Sequence, residues 1–369
     1  MPSLITLADI RAAQTRIAST AVRTPLVRLS RARLRIAGFP ELADNAPDIY
    51  LKDESAQPIG SFKLRGAYNK IAQLTPEQLK RGVITYSSGN HAQGVAYAAR
   101  ALGSKAVIVM PDNAPQIKRD ATAALGAEIV TVGPASTDRK IKAEELEALH
   151  GYTMVPPYDD EAIIAGQGTC GLEILEQLPG VELVLSPVSG GGLLSGVSSA
   201  IKLKALEHDE CTADSEGKHE PCGCGNQPPH HCMWCGKDFP GPKVYGCEPA
   251  LSADAKESFD TRKLIEWPAS KTSRTIADGL RTQSLGERNF AHVMRFVDGI
   301  VTVSEEEIRT ALRIILTATA LTAEPSGAVT LAAALFHASE LPKAQKVVAI
   351  LSGGNLDPAL RAEVLQTTV

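Results

Sequence analysis

A lysine amine can act as a nucleophile or move a proton when its surroundings hold it in place and tune its charge. Lys63 stands in GSFKLRGAY, between a glycine turn and a run of helical period. A lysine there is ordinarily a solvated surface residue, so its meaning depends on what else the chain offers. SGGGLLSG follows the apolar run LVLSPV and opens a helical stretch. The backbone N–H groups of Gly190, Gly191, Gly192 and Leu193, with the positive end of the helix dipole, therefore suit a phosphate dianion. SSGNHAQG, which carries Ser87, Ser88, Asn90 and His91, opens a second helix in the same way and suits a carboxylate. LSGGN, after VVAI, offers the neutral hydroxyl of Ser352. Each pattern has a bland reading beside it. A glycine turn before a helix is often only a turn, Ser88 reads equally as an N-cap, and a histidine at a helix start is more often structural. Together they are the parts needed to hold an amino acid beside a phosphorylated cofactor.

These residues need strands and helices to position them. ITYSS precedes HAQGVAYAARALG, KAVIVMP precedes QIKRDATAALG, and EIVTVG, LVLSPV and KVVAIL follow. Short apolar runs alternating with helical periods predict an α/β fold with parallel-rich sheets flanked by helices. Ligands bind at the carboxyl ends of such strands, so the loops at 87–89, 189–192 and 352–354 are expected to converge on one site. One stretch, about 208–242, lacks apolar periodicity and is rich in Gly, Pro, His and Cys. It reads as an insertion between a helix ending near Leu206 and the strand KVYGCE.

With 369 residues, 44% of them hydrophobic and 22% charged, the chain is long enough for two lobes. Its net charge is −4 and its basic residues form no runs, which excludes the footprint of a nucleic-acid or membrane-surface binder. A small molecule is the expected partner. Charges at Asp9, Arg11 and Arg16 break the first apolar stretch, which speaks against a secretory signal and for a cytoplasmic protein. Of seven cysteines, five fall between Cys211 and Cys235. In a reducing compartment these are metal ligands or plain thiols. Cys222, Cys224, Cys232 and Cys235 could supply four thiolates to zinc, with His219, His230 and His231 as spares, although the first pair is spaced more tightly than zinc sites prefer. A metal-free insertion is the competing reading.

The order SFKLRGA, SSGNHAQG, AGQGT, SGGGLLSG, EPSGA and LSGGN resembles the serine/threonine dehydratase and serine racemase family of fold-type II pyridoxal-phosphate enzymes across nearly the whole chain outside the insertion. The resemblance implies that Lys63 forms the Schiff base with the cofactor and Phe62 packs beside its ring. Asn90 meets the ring hydroxyl, Gly190 to Leu193 hold the phosphate, and Ser352 meets the pyridine nitrogen. A serine there leaves that nitrogen neutral, which favours elimination over transamination. Ser87, Asn90 and His91 resemble the substrate-carboxylate loop. Ser88 matches the serine of racemases that returns a proton on the face opposite the lysine. EPALSAD resembles a divalent-cation site, with carboxylates from Glu248 and Asp254 and the backbone carbonyl of Ser252 suited to Mg²⁺ or Ca²⁺. Arg139 matches a position near the substrate's distal side, and Tyr158 departs from the asparagine of animal racemases.

The implied architecture is a large cofactor-binding domain, residues 1–74 plus 160–369, and a small mobile domain, residues 75–159, in a homodimer. The chain ends soon after LSGGN, so feedback through an appended regulatory domain is not expected. The implied activity is an ammonia-lyase on serine, threonine or 3-hydroxyaspartate, giving a 2-oxo acid and ammonia, with serine racemisation beside it. The alternatives are a β-replacement synthase of the same fold, against which EPSGA and the cation motif speak, and a zinc-binding interaction module on a degenerate enzyme.

Overall fold

The apolar runs form two sheets. The structure of the protein, a computed structural model, describes residues 2–45, 47–87, 89–114, 116–133, 136–211 and 241–366. Its strands are β1 (Leu26–Leu29), β2 (Asp48–Asp53), β3 (Val83–Tyr86), β4 (Ala106–Pro111), β5 (Glu128–Val132), β6 (Thr153–Met154), β7 (Leu183–Pro187), β8 (Lys243–Pro249), β9 (Gly299–Val303) and β10 (Lys346–Leu351). A six-stranded sheet has the order β1-β2-β10-β7-β8-β9 and a four-stranded sheet the order β5-β4-β3-β6. Among these strands only the β1–β2 pairing is antiparallel. Every residue of β4 and β7 is buried, as expected of parallel strands covered by helices on both faces. No described helix is long and apolar enough to cross a membrane.

Three helices set the geometry around Lys63: Lys63–Ile71, Glu161–Gln177 and Gly192–Cys211. They approach so closely that glycine is required at the crossings. A Cβ on Gly166 would lie 2.7 Å from the Gly66 Cα, and one on Gly196 would lie 2.4 Å from the Ile164 carbonyl oxygen. The AGQGT and SGGGLLSG motifs thus serve packing. The middle helix is capped by Asp160, whose carboxylate accepts from the Ala162 and Ile163 amides at 2.9 and 3.1 Å and pairs with Lys70 at 2.7 Å.

A charge network is sealed beneath these helices. Arg65 donates to Glu54 through Nε and Nη2, both at 2.8 Å, and to Glu173 at 2.7 and 2.9 Å. Lys52 on β2 donates to Glu173 at 2.6 Å and to the Thr24 carbonyl at 2.8 Å. Two cations face two carboxylates, and the Arg65 and Lys52 side chains are 1% and 0% exposed, so water screens neither.

The Gly192–Cys211 helix runs past the boundary expected near Leu206; on it Glu207 pairs with Lys204 at 2.9 Å and with Arg11 at 2.7 Å. Residues 212–240, including Cys222, Cys224, Cys232 and Cys235, lie outside the described residues. The chain re-enters beside the helix it left. The Pro242 carbonyl accepts from Lys202 at 2.9 Å, and a Cβ on Gly241 would lie 2.9 Å from that of Ala205.

Replacing Arg65 by methionine leaves Glu54 and Glu173 buried without their shared cation, and is expected to destabilise the fold by about 3–5 kcal/mol in urea unfolding. Burial alone would raise the Glu54 carboxyl, but the charge and hydrogen bonds of Arg65 outweigh it and hold the group down at about 2, from an ordinary 4.5. A depressed carboxyl stabilises above its unfolded value, and that contribution is lost as pH falls from about 4.5 toward 2. The Arg65→Met variant should lose this acid limb; an unchanged limb would show that Arg65 is not its source.

Candidate active site

The carboxyl ends of β3, β7 and β10 open onto one cavity of about 910 Å³, lined among others by Phe62, Lys63, Asn90, Gly190, Glu324 and Ser352. Lys63 is the first residue of its helix, tied to β10 by the Phe62 amide, which donates to the Ser352 carbonyl at 3.0 Å, and by a bridge between Ser61 and Gly353. Its Nζ donates to the Pro157 carbonyl at 2.7 Å and stands 5.1 Å from the centre of the Phe62 ring. Loss of water around the amine lowers its affinity for a proton to about 8, and the charge of Glu324 opposes that shift.

Beyond β7, Ser189 and Gly191 adopt left-handed backbone, φ 55° and 94°, before the helix starts at Gly192. The helix N-terminus faces the cavity through Gly190, Gly191, Gly192 and Leu193. Its first amides have no partner within the helix. The Tyr158 ring lies against this loop, so a Cβ on Gly190 would sit 2.4 Å from it. Pro157 and Tyr158, adjacent in the chain, therefore touch both the lysine amine and the glycine loop. Tyr158 is held un-ionised, raised by burial to about 12.

The second anion-ready helix, Asn90–Ala101, follows β3, Ser87 and Gly89. Ser88 lies outside the described residues. Asn90 donates to Glu324 Oε1 at 2.7 Å and accepts from Asn355 at 2.6 Å, and Asn355 also donates to the Ile59 carbonyl at 3.1 Å. Sequence reasoning assigns Glu324 and Asn355 no role. The available signal is their position inside EPSGA and LSGGN, where a carboxylate and an amide stand among small residues. Burial, then the charge of Asp278, raises the Glu324 carboxyl to about 8. His91 lines the cavity, but its Nε2 lies 2.9 Å from the Val155 carbonyl and burial drops its affinity for a proton to about 3, so the ring is neutral. Ser87 and the half-buried Arg139 also line the cavity.

Glu248 at the end of β8, Ser252 and Asp254 come together in a second, fully buried place. Glu248 accepts from the Lys256 amide at 2.9 Å, and the Ser252 hydroxyl donates to the Leu280 carbonyl at 2.8 Å, leaving the Ser252 carbonyl as the oxygen it can offer. Both carboxylate oxygens of Asp254 are buried without a hydrogen-bond partner. Burial raises Asp254 to about 7, and burial with the charge of Asp254 raises Glu248 well above its usual range. Two buried carboxylates, one of them with both oxygens orphaned, are oxygen donors of the kind that suits a hard divalent cation. Among the described residues no cluster of three or more His, Cys, Asp or Glu side chains could hold a metal. This set differs in having two carboxylates and a backbone oxygen.

A family model described as pyridoxal-phosphate dependent enzyme matches residues 17–353. The chain is 35% identical over 352 residues to L-threo-3-hydroxyaspartate ammonia-lyase of Saccharomyces cerevisiae, covering 95% of this chain and 94% of that one. It is 38% identical to L-threonine ammonia-lyase of Thermotoga maritima, covering 96% and 76%. Among solved structures, maize serine racemase superposes with a TM-score of 0.81 at 32% identity, covering 98% and 97% of the two chains. A threonine deaminase from T.th. does so with a TM-score of 0.78 at 40% identity, covering 96% and 99%.

Proposed function

The chain belongs to the pyridoxal-phosphate dependent enzymes, and from that premise we propose that it is an ammonia-lyase on a small 3-hydroxy amino acid, serine, threonine or 3-hydroxyaspartate, releasing a 2-oxo acid and ammonia. One observation carries the reading: a desolvated lysine amine, a glycine-loop helix N-terminus and a neutral serine hydroxyl line the same cavity. That donor set fits the cofactor. The similarity to an L-threonine ammonia-lyase and an L-threo-3-hydroxyaspartate ammonia-lyase over nearly the whole chain supports the substrate class.

Bound there, pyridoxal phosphate supplies an electron sink for the pair left when the substrate's α-proton departs. The amides of Gly190 to Leu193 and the positive helix end would hold its phosphate. Asn90, oriented by Glu324 and Asn355, would meet its ring hydroxyl, Phe62 would pack beside its ring, and Ser352 would meet its ring nitrogen without adding charge. With the cofactor bound, Lys63 would hold it covalently, and its amine would be placed to take the substrate's α-proton. An amine with affinity near 8 is partly free at neutral pH, which this role needs. Ser87 and Asn90, at the second helix N-terminus, hold the substrate carboxylate. His91 stays neutral there and braces that loop against Val155. Cys170 and Cys247 are free and buried, in keeping with the cytoplasmic setting we propose.

Lys63→Ala should abolish both the visible absorbance of covalently held cofactor and the formation of 2-oxo acid from all three amino acids. A variant with wild-type absorbance would remove Lys63 from this role. The orphaned oxygens of Asp254 support Mg²⁺ or Ca²⁺ on Glu248, Ser252 and Asp254. Chelation should then lower activity and the unfolding midpoint, with Mg²⁺ or Ca²⁺ restoring both; indifference of both to chelator, with no cation in the purified protein, counts against the site.

Serine racemisation is the second reading, supported by Ser88 in the sequence and by the likeness to maize serine racemase. Ser88→Ala should lose L-to-D conversion by about 10²–10⁴-fold, the usual worth of one general acid/base, while keeping much of the L-dehydratase activity. Parallel loss of both would make Ser88 a cap or carboxylate ligand.

A further inference from the structure

The turn Asp278–Leu280 has no part in the mechanism above, yet four separate parts of the molecule bond to it. The Asp278 carboxylate pairs with Lys118, which projects from the helix Gln116–Ala124 that follows β4 in the four-stranded sheet. The Gly279 carbonyl accepts from the Ser189 hydroxyl at 3.0 Å, and the Gly279 amide donates to the Ser326 hydroxyl at 2.9 Å. The Leu280 carbonyl accepts from Ser252 at 2.8 Å. Ser189 stands immediately before the glycine loop with φ 55°, a conformation an L-residue keeps only where its surroundings hold it. The grip is visible: its hydroxyl also lies 3.2 Å from that of Thr282.

Lys118 and Asp278 both line the cavity, and their side chains keep 29% and 38% of their exposure, so the pair stands at the rim and spans it. An ion pair this exposed contributes little to global stability. It can still shift an open–closed equilibrium several-fold when it forms in one of the two states. We propose that Lys118 and Asp278 are a latch of positioning residues, holding the four-stranded sheet over the substrate cavity and, through Gly279 and Ser189, tying that closure to the glycine loop. The proposal leans on the reading above only in the choice of substrate for its assay. Closure that presses on the glycine loop brings the wall carrying Ser87 and Asn90 and the wall carrying Lys63 together around one bound molecule. A substrate is then committed by closure as well as by its own contacts.

The test compares cofactor-loaded wild type with Lys118→Met, Asp278→Asn, the double variant, and the swapped pair Lys118→Asp with Asp278→Lys. Steady-state kinetics on L-serine, L-threonine and 3-hydroxyaspartate give one readout, and hydrogen exchange of the amides in 106–132 gives a second that needs no turnover. Each single variant should raise KM several-fold with a smaller change in kcat, as expected when binding is weakened uniformly. The double variant should be no worse than either single, since both remove one interaction. Exchange should quicken in all three, and the swapped pair should recover both properties. Single variants with wild-type KM and exchange, effects that multiply in the double, or a swapped pair as impaired as the singles would overturn the latch. A wild type inert on every 3-hydroxy amino acid would overturn the proposed function instead, and the exchange measurement would still decide the latch.

Discussion

Arg65, clasped by Glu54 and Glu173, is the contact on which the rest of the molecule depends. Burying charge is costly unless every charge finds its partner, and a low-dielectric interior makes each missing partner more costly still. Here the partners come from β2, the turn after it, the Lys63 helix and the Glu161 helix, so those elements are compatible with one arrangement only. Glycine crossings at Gly166 and Gly196 let the same helices close to backbone contact. Lys63 lies two residues before Arg65, on the end of the helix that this clasp immobilises.

What the site can do follows from that rigidity. A lysine amine in water is a poor base at neutral pH, because its proton is held too tightly. Here the cavity wall removes water from Lys63 and the nearby Glu324 carboxyl titrates near 8, so neither group is locked into its solution charge. The two helix N-termini are fixed by backbone geometry, since their amides point where the strand ends direct them. The glycine loop lies against Tyr158, and Tyr158 follows the residue that accepts from Lys63, which leaves little freedom between that loop and the amine.

Much of this was legible in the sequence. The alternation of apolar runs with helical periods pointed to the parallel sheets, because buried strands have to be apolar throughout. The glycine and serine loops after β3, β7 and β10 marked the cavity, because ligands gather at strand ends. Other features were out of reach. Lys52, Glu54, Arg65 and Glu173 look like ordinary surface charges in the sequence, and Lys52 and Glu173 stand 121 residues apart, so nothing local announces their pairing. IADGL carries no composition signal, yet its turn is bonded from four directions. The helix opening at Gly192 outran its expected end, and beyond that end Glu207 pairs with Arg11, a tertiary contact that propensity does not contain.

The return of the chain at Gly241 to the side of the helix it left has a consequence for how this molecule can change. Where entry and exit are neighbours, the sequence between them can lengthen at a closure cost that grows only with the logarithm of its length. The described residues of the cavity, the buried clasp and the candidate cation site all lie outside that span. The position between Cys211 and Gly241 is thus a port at which the scaffold can accept sequence of very different length.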